Sequence, residues 1–385
     1  MMDFDLRVAW EDGERIFYRN RRNRTDDPAV LAVLPRSEHP APLVLERFAH
    51  EYALKNQLSS AWAARPLELL REHGHVMLVL EDPGGRPLEE LLGAPMEIGR
   101  FLPLAINIAA VLGKVHQQGL VHKDVNPANI LVDELTGQVR LTGFGMASRL
   151  LRERQSSNPP ETIAGTLAYM APEQTGRMNR SIDSRSDLYA LGVTFYRMST
   201  GSLPFSAADP IEWIHCHVAK APVPPSEQLA TIPGPVSSIV LKLLAKNAEE
   251  RYQTAAGVES DLRRCLLEWQ ARGHIDDFQL GKEDTPDRLV IPEKLYGRAK
   301  EVSALIAAFD RIASGGRAEL VLVSGYSGIG KSAVVNELQK VLTSSRALFA
   351  AGKFDQYERD IPYSTLAKAF KNLIRPLLGR PDAEL

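Results

Sequence analysis

The sequence predicts an α+β fold in which a strand-rich region is followed by a helical region, with the beginning of an α/β domain after them. Short strand-type runs fill residues 5–83, and long amphipathic helical runs follow over residues 84–270. Strands and helices that are segregated along the chain in this way are typical of α+β domains. An irregular segment rich in Gly, Pro and Asp, residues 271–293, then precedes a strand–turn–helix pattern within residues 294–385.

Length and composition are those of a soluble globular protein. The 385 residues indicate two or three domains, and 44% hydrophobic with 24% charged residues is an ordinary balance. The net charge of −2 provides no overall basic field that would attract nucleic acid or anionic lipid. Two cysteines, Cys216 and Cys265, are too few for a disulfide framework and suit a reducing compartment.

No segment has the pattern of a targeting or membrane-spanning sequence. The N-terminus, MMDFDLRVAWEDGE, is acidic where a signal peptide would be basic and then apolar. The longest apolar run, residues 102–113, is shorter than the roughly 20 residues that cross a bilayer. We therefore expect a cytoplasmic protein with no membrane span and no nucleic-acid partner.

The elements follow from hydrophobic spacing. In the strand-rich region, turn residues separate three β-type runs, which read ERIFYRNRR, PAVLAVL and HVMLVLED. Residues 45–58 interrupt them with apolar side chains at helical spacing, namely Leu45, Phe48, Tyr52 and Leu54. The helical region contains three long amphipathic runs, which read RFLPLAINIAAVLGKVHQQ, PVSSIVLKLLAKNAEERYQ and TAAGVESDLRRCLLEWQAR.

The last region predicts a helix over 299–312, a strand over 319–324 and then a glycine-rich turn, GYSGIGKS. This turn fits the phosphate-binding pattern G-x-x-x-x-G-K-S/T, in which glycines let successive backbone N–H groups point at one phosphate. We expect Lys331 to contact the β- and γ-phosphates of ATP and Ser332 to ligate Mg²⁺. The glycines of the predicted nucleotide site are Gly325, Gly328 and Gly330. The alternative is a glycine-rich strand-to-helix turn that carries a lysine by chance.

The nucleotide-binding domain is predicted to be incomplete. A P-loop requires a second strand that ends in an acidic residue and helps to hold the Mg²⁺ ion. No apolar strand that ends in Asp or Glu occurs between residues 342 and 385. We therefore expect residues 294–385 to form part of a P-loop NTPase domain, either in a piece of a longer protein or in a truncated gene product.

Residues 5–270 resemble a Ser/Thr protein kinase domain in the order of their motifs. These motifs are Glu51 in HEYALKNQL, HKDVNPAN (122–129), GFG (143–145), GTLAYMAPE (165–173), SDLYALG (186–192), GSLPF (201–205) and ERYQTA (250–255). The resemblance implies a bilobal fold, with an N-lobe over about 5–83 and a C-lobe over about 84–270.

The combination of this region with a P-loop domain that begins at LYGR (295–298) is similar to a particular class of signalling proteins. Members of that class fuse a kinase-like domain to an AAA-type or STAND-type ATPase and to sensor histidine kinase modules. The segment GKFDQYERDIPYSTLAKAF also resembles that class. The resemblance implies that the partners are other signalling proteins or downstream modules of a longer chain.

Several kinase residues are present. The resemblance implies that Asp124 is the catalytic base and that Asn129 could ligate a metal ion. It also implies a structural pair between Glu173 and Arg251, and an aspartate, Asp187, that braces the catalytic loop. These residues indicate the fold rather than the chemistry.

The departures from the family pattern concern phosphate chemistry. Ala32 stands at the place of the third-strand lysine that pairs with Glu51, and Gly143 replaces the metal-binding aspartate of D-F-G. Asn126 replaces the lysine that usually follows the catalytic aspartate by two residues, and the first hairpin contains one glycine, Gly13, instead of three.

These losses predict a signalling module with a degenerate kinase domain that binds or regulates a partner. The alternative is an active Ser/Thr kinase with an atypical nucleotide site, in which Arg15 or Arg19 supplies the missing cation. A third hypothesis, compatible with the first, makes the P-loop domain an ATP-driven switch with Mg²⁺ as its metal.

Overall fold

The computed structural model of the chain describes residues 6–20, 29–72, 75–149, 166–176, 180–286, 297–326 and 329–336, with isolated positions between 338 and 374. Gly328, one of the predicted nucleotide-site glycines, lies outside the described residues.

The N-lobe is a five-stranded antiparallel sheet with one helix packed on it. The strands are β1 (Leu6–Glu11), β2 (Arg15–Asn20), β3 (Val30–Pro35), β4 (Pro66–Glu72) and β5 (His75–Glu81), in the spatial order β1-β2-β3-β5-β4. Alternate apolar residues along these strands point to one face, where they pack against Phe48 of helix α1 (Pro42–Ala53). The same helix carries Glu51.

The C-lobe is helical, as the amphipathic runs predict. Its helices are α2 (Ile98–Gln117), α3 (Ser184–Thr200), α4 (Pro210–Val218), α5 (Pro225–Gln228), α6 (Gly234–Leu243) and α7 (Ala255–Arg272). A small antiparallel sheet of β6 (Arg86–Pro87), β7 (Ile130–Val132) and β8 (Val139–Leu141) lies beside them. The order of strands and helices confirms the predicted α+β class with two lobes.

Helix α2 differs from the expectation that no apolar segment approaches the length of a membrane span. Its 20 residues are long and apolar enough to cross a membrane by length and composition. In the folded chain, however, Phe101, Ala105 and Leu112 are fully buried in the C-lobe core, and α2 packs along α7. Its apolar character is therefore explained by its central position in the C-lobe.

The first part of the predicted linker is folded onto the C-lobe. Asp284 accepts hydrogen bonds from the backbone N–H groups of Gln253 (2.6 Å) and Thr254 (2.9 Å) at the start of α7. Gly257 permits this approach, because a Cβ atom there would lie 2.4 Å from an Asp284 carboxylate oxygen. The frequent Gly and Asp residues that suggested a linker therefore include residues that fasten the chain, and residues 287–296 lie outside the described part.

The last region contains helices α8 (Ala299–Ala313) and α9 (Lys331–Asn336). The strand predicted over 319–324 does not form, and Leu320 and Leu322 are 88% and 84% exposed. A strand needs hydrogen-bonded neighbours, and the described residues of this region contain no other strand with which it could pair. An apolar run is therefore insufficient to form this element.

A buried ion pair joins three parts of the C-lobe. The Arg251 guanidinium contacts both carboxylate oxygens of Glu173, at 2.7 and 2.9 Å, and donates to the backbone carbonyls of Ala245, Arg185 and Lys246. All five of its N–H donors are therefore used. Burial acts to raise the pKa of Glu173, but Arg251 and the Ser186 hydroxyl outweigh this effect and lower it.

We predict that Arg251→Ala lowers the free energy of unfolding by about 3–5 kcal/mol, because Glu173 is left buried without a counter-ion. Urea denaturation of the full chain measures this change. Arg263→Ala is the matched control, since Arg263 forms an exposed pair with Glu259 on α7, and we expect a loss of no more than about 0.5 kcal/mol. Equal losses in the two variants would contradict the prediction.

Candidate active site

The catalytic loop, residues 122–129, is held in place by the buried carboxylate of Asp187. This carboxylate accepts from the backbone N–H groups of His122 and Lys123, both at 2.8 Å, and lies 2.9 Å from His116 Nε2. Burial acts to raise the pKa of Asp187, but the histidine contacts and the His122 N–H outweigh burial and lower it. Lys123 has a φ of 67°, so the loop turns sharply just before Asp124.

Both oxygens of Asp124 accept hydrogen bonds from neighbouring amides. Asn129 Nδ2 lies 3.0 Å from one oxygen, and Asn126 Nδ2 lies 3.1 Å from the other. The Asn126 side chain also accepts from the N–H groups of Ala128 and Asn129, so it caps the short helical turn over 127–129. A neutral amide therefore lies beside Asp124 where the kinase pattern has a lysine ammonium.

Ala32, at the predicted lysine position on β3, is buried and pairs with Tyr18 of β2. Its side chain therefore points to the face of the sheet opposite that of Arg15, and it brings no cation to Glu51. Glu51 instead accepts from the backbone N–H of Gly143 at 3.1 Å. Burial is the largest effect on this carboxylate and raises its pKa, while the charge of Arg15 and the N–H groups of Gly143 and Phe144 offset only part of that effect. Glu51 is thus a buried acid that forms no direct salt bridge with any residue in the described part of the chain.

Arg15 enters the cleft from β2, which is one of the two positions from which the sequence suggested a replacement cation. Its Nη2 atom donates to Asn129 Oδ1 at 2.7 Å, and its guanidinium also pairs with Asp12 at 2.6 Å. Burial acts to lower the pKa of Arg15, but the charges of Asp12, Glu51 and Asp124 raise it. The structure therefore places a permanent cation on the side-chain oxygen of Asn129, the residue that the kinase resemblance implies as a metal ligand.

Arg19, the other suggested cation, does not enter the catalytic site. Its guanidinium pairs with Asp82 at 2.6 Å and donates to the Gly85 carbonyl at 2.9 Å, at the connection between the lobes. Arg15 and Arg19 lie on the same face of β2. They are four residues apart, so the rise of the strand places them at different points along the cleft.

Gly143 occupies a position that a side chain could not enter without displacing Asn129. Its φ is 79°, in the left-handed region, and a Cβ atom there would lie 2.4 Å from Asn129 Oδ1. Asn129 is itself fastened by Asp124 and Arg15. The replacement of the D-F-G aspartate by glycine is therefore matched by the packing around it.

Two aromatic side chains, which the motif order does not indicate, belong to an apolar cluster that reaches from the N-lobe sheet to the C-lobe. Trp10 and Phe17 face each other across β1 and β2 with their rings stacked 4.7 Å apart. They pack in one apolar cluster with Leu80 of β5 and Leu131 of β7, and Phe17 and Leu131 are each only 1% exposed. The alternation of Arg15, Phe17 and Arg19 is the sequence signal that could have found this face.

A small, open depression in the surface adjoins Asp124. It is lined by residues of the catalytic loop and of the segment after it, including Lys123, Asp124, Thr166, Tyr169, Met170 and Gln174. Asp124 is therefore reachable from the side of the activation segment, although its oxygens are already bonded.

The P-loop motif lies apart in sequence from the cleft, and the structure describes most of its residues. Lys331 Nζ donates to the carbonyls of Gly325 and Tyr326, at 2.9 and 2.8 Å, so the ammonium lies within its own turn. Gly325 and Gly330 have φ angles of 154° and 94°, which suit glycine. Ser332 follows in the first turn of α9.

Comparisons with known proteins agree with both parts of the chain. Residues 18–262 match the family model of the protein kinase domain, and residues 294–385 match that of the AAA ATPase domain.

Three relatives illustrate these matches. Hybrid signal transduction histidine kinase G of Dictyostelium discoideum is 28% identical over 379 residues, which cover 76% of this chain and 11% of the relative. A probable serine/threonine-protein kinase of Corynebacterium efficiens is 32% identical over 57% of this chain and 33% of the relative. Serine/threonine-protein kinase PknB of Mycobacterium tuberculosis is 35% identical over 49% of this chain and 30% of its own length. The matches thus span a third or less of each relative.

The buried Glu51 carboxylate predicts a characteristic pH dependence of stability. Its pKa is raised in the folded state, so its contribution to stability is full below the unfolded value of 4.5 and is lost as the pH rises through the folded value. Glutamine keeps the acceptor for Gly143 but does not ionise. We therefore expect Glu51→Gln to gain stability relative to the parent as the pH rises from about 4.5 towards 8.

Thermal unfolding of the full chain across this pH range measures the difference. Glu259→Gln, on the exposed face of α7, controls for the loss of one carboxylate elsewhere. A difference between Glu51→Gln and the parent that does not change with pH, or that falls as pH rises, would contradict the prediction.

Proposed function

The chain belongs to the protein kinase family, and we propose that its kinase domain is a catalytically degenerate member that acts as a regulatory or binding module. The observation that carries this proposal is a contrast between the charged residues that hold the C-lobe together and those that would bind the phosphates and the metal ion. The pairs that hold the C-lobe together are complete, whereas the cation and the metal ligand for the phosphates are missing at Ala32 and Gly143.

The missing groups are the ones on which phosphoryl transfer depends. Kinases accelerate this reaction by positioning the phosphates and neutralising their charge, with a lysine, metal ions and the D-F-G aspartate as the main parts. The loss of one preorganised electrostatic partner typically costs about 10²–10³ in rate, and losses within one site do not simply add. Asp124 alone can orient a hydroxyl, but it supplies no positive charge.

One observation favours a second candidate, an active Ser/Thr kinase with an atypical nucleotide site. Arg15 brings a cation into the cleft, and the nearby charges of Glu51 and Asp124 raise the pKa of its guanidinium. Its hydrogen bond to Asn129 Oδ1, however, uses the atom that would hold a metal ion. This competition supports the degenerate function over the active one.

For the second domain we propose ATP binding with Mg²⁺ at the P-loop. Gly325, Gly328 and Gly330 would shape the turn around the phosphates, Lys331 would contact them, and Ser332 would ligate the metal. The relatives' names support a role in signal transduction, and we propose that the kinase domain regulates this ATPase domain or other signalling proteins. We also propose a cytoplasmic location, in keeping with the sequence composition.

We predict that the kinase domain transfers phosphate at least about 10³-fold more slowly than the roughly 1–100 s⁻¹ of typical kinases. The assay measures Mg²⁺-dependent autophosphorylation and peptide phosphorylation by the full chain carrying Lys331→Ala, so that the P-loop does not consume ATP. Adding Asp124→Asn should then make no difference. Robust transfer that disappears with Asp124→Asn would establish the active kinase instead.

We predict that Lys331→Ala weakens ATP binding by the full chain at least about tenfold, because the phosphates lose their cation. Isothermal titration with Mg²⁺ and ATP measures the affinity. Lys300→Ala, on α8, is the matched control for the loss of one lysine in the same region. Equal affinity in the parent and the Lys331→Ala protein would show that ATP is bound elsewhere.

A further inference from the structure

One face of β2 runs the whole length of the cleft between the lobes. Its alternate residues are Arg15, Phe17 and Arg19, which point to the same side because side chains alternate along a strand. Arg19 is tied to Asp82 at the connection between the lobes. Arg15 is tied to Asn129 in the catalytic loop, and Phe17 lies between the two arginines.

At the catalytic end, the guanidinium of Arg15 satisfies groups that a metal–phosphate complex would otherwise face. It donates to Asn129 Oδ1 at 2.7 Å, and the negative charges of Glu51 and Asp124 act on it. Asp12, in the turn between β1 and β2, contacts the same Nη2 atom at 2.6 Å and accepts from Nε at 2.8 Å. A positive charge from the N-lobe is thereby bonded directly to the C-lobe.

Between the two arginines, one apolar cluster contains residues of both lobes. Phe17 and Trp10 lie in one cluster with Leu80 of the N-lobe sheet and Leu131 of the C-lobe. The side chains of Phe17, Leu80 and Leu131 are each only 1% exposed, so little space is left between them. A nucleotide base would have to displace these aromatic rings.

The turn between β1 and β2 is fastened to helix α1 as well. Glu14 in this turn forms an ion pair with Arg47 at 2.7 Å. The hairpin that covers the cleft is thus held by contacts to α1 and to the catalytic loop. In a kinase the corresponding loop closes over the phosphates of ATP.

We propose that β2 fills the nucleotide cleft from within, so that the kinase domain keeps its lobes closed and excludes Mg²⁺–ATP. Arg15 acts as an internal cation that joins the hairpin to Asn129, and Trp10 and Phe17 occupy the space of the base. This inference rests on the proposed degenerate function and extends it: the closed shape does not depend on a nucleotide, so a partner meets one conformation at all ATP concentrations.

The first test is nucleotide binding by the full chain carrying Lys331→Ala, which removes the P-loop cation. Titration of a fluorescent ATP analogue up to about 1 mM, with and without Mg²⁺, should leave amide hydrogen exchange in residues 6–20 and 122–129 unchanged, whatever binding the P-loop retains. Saturable binding that unlabelled ATP displaces and that lowers exchange in those residues would overturn the inference. If ATP bound in the cleft but no Asp124-dependent phosphate transfer occurred, the filled-cleft inference would fail and the proposed degenerate function would stand. The two hypotheses can therefore be tested separately.

The second test concerns closure, and it uses amide hydrogen exchange of the same protein without nucleotide. Arg15→Ala should increase exchange at least about tenfold in residues 6–20 and 122–129 and leave α7 unchanged. Arg15→Lys, which keeps a charge but loses the planar fork, should have an intermediate effect. Arg36→Ala, at an exposed pair with Glu11, is the matched control and should have no effect.

Either of two exchange results would overturn the inference. One is unchanged exchange in Arg15→Ala, which would mean that the guanidinium does not hold the lobes together. The other is an equal increase throughout the chain including α7, which would show general destabilisation instead of opening at the cleft.

Discussion

The burial of three carboxylates, Glu51, Glu173 and Asp187, is the constraint on which the arrangement of both lobes depends. A carboxylate removed from water must receive hydrogen bonds or an opposite charge, or it becomes protonated. Arg251 meets this requirement for Glu173 with two direct contacts, and for Asp187 it is met by His116 and two backbone N–H groups. These contacts connect α2, α3, the catalytic loop and the start of α7 into one C-lobe.

Glu51 meets the same requirement in a different way. Its structural contacts remain, but it has no lysine partner among the described residues that could bind phosphate. With Ala32 at the predicted lysine position, Glu51 accepts a hydrogen bond from the backbone N–H of Gly143, and the positive charge of Arg15 acts on it without a direct ion pair. The carboxylate still joins helix α1 to Gly143 and Phe144, and His50 of the same helix bonds to the carbonyl of Ala147. In the kinase pattern this carboxylate also holds a lysine ammonium beside the phosphates of ATP, and Glu51 has no such lysine partner in the described part of the chain.

The substitutions in the cleft form a packed set. The left-handed backbone and missing side chain of Gly143 leave room for Asn129, and Asn129 in turn accepts from Arg15 and donates to Asp124. A change at one of these positions therefore acts on the others, and effects of substitutions there are not expected to add. Restoring an aspartate at Gly143 alone would require Asn129 to move.

The sequence by itself determined the α+β class, the bilobal kinase-like fold and the positions of Glu173, Asp187 and Arg251, because hydrophobic period and motif order are local properties of the chain. It also limited the replacement cation to Arg15 or Arg19. Only the tertiary structure decided that Arg15 enters the catalytic site, since this choice depends on Asp82 and Asn129, which lie far away in sequence.

The same reason accounts for the features that sequence patterns misjudged. Residues 271–293 have the composition of a linker, yet Asp284 among them accepts from the backbone N–H groups of Gln253 and Thr254, the two residues that precede α7. Residues 319–324 have the composition of a strand, yet no strand of the described region pairs with them. Caps, sheet pairing and the filling of the cleft by Trp10 and Phe17 are long-range contacts, so only the folded chain decides them.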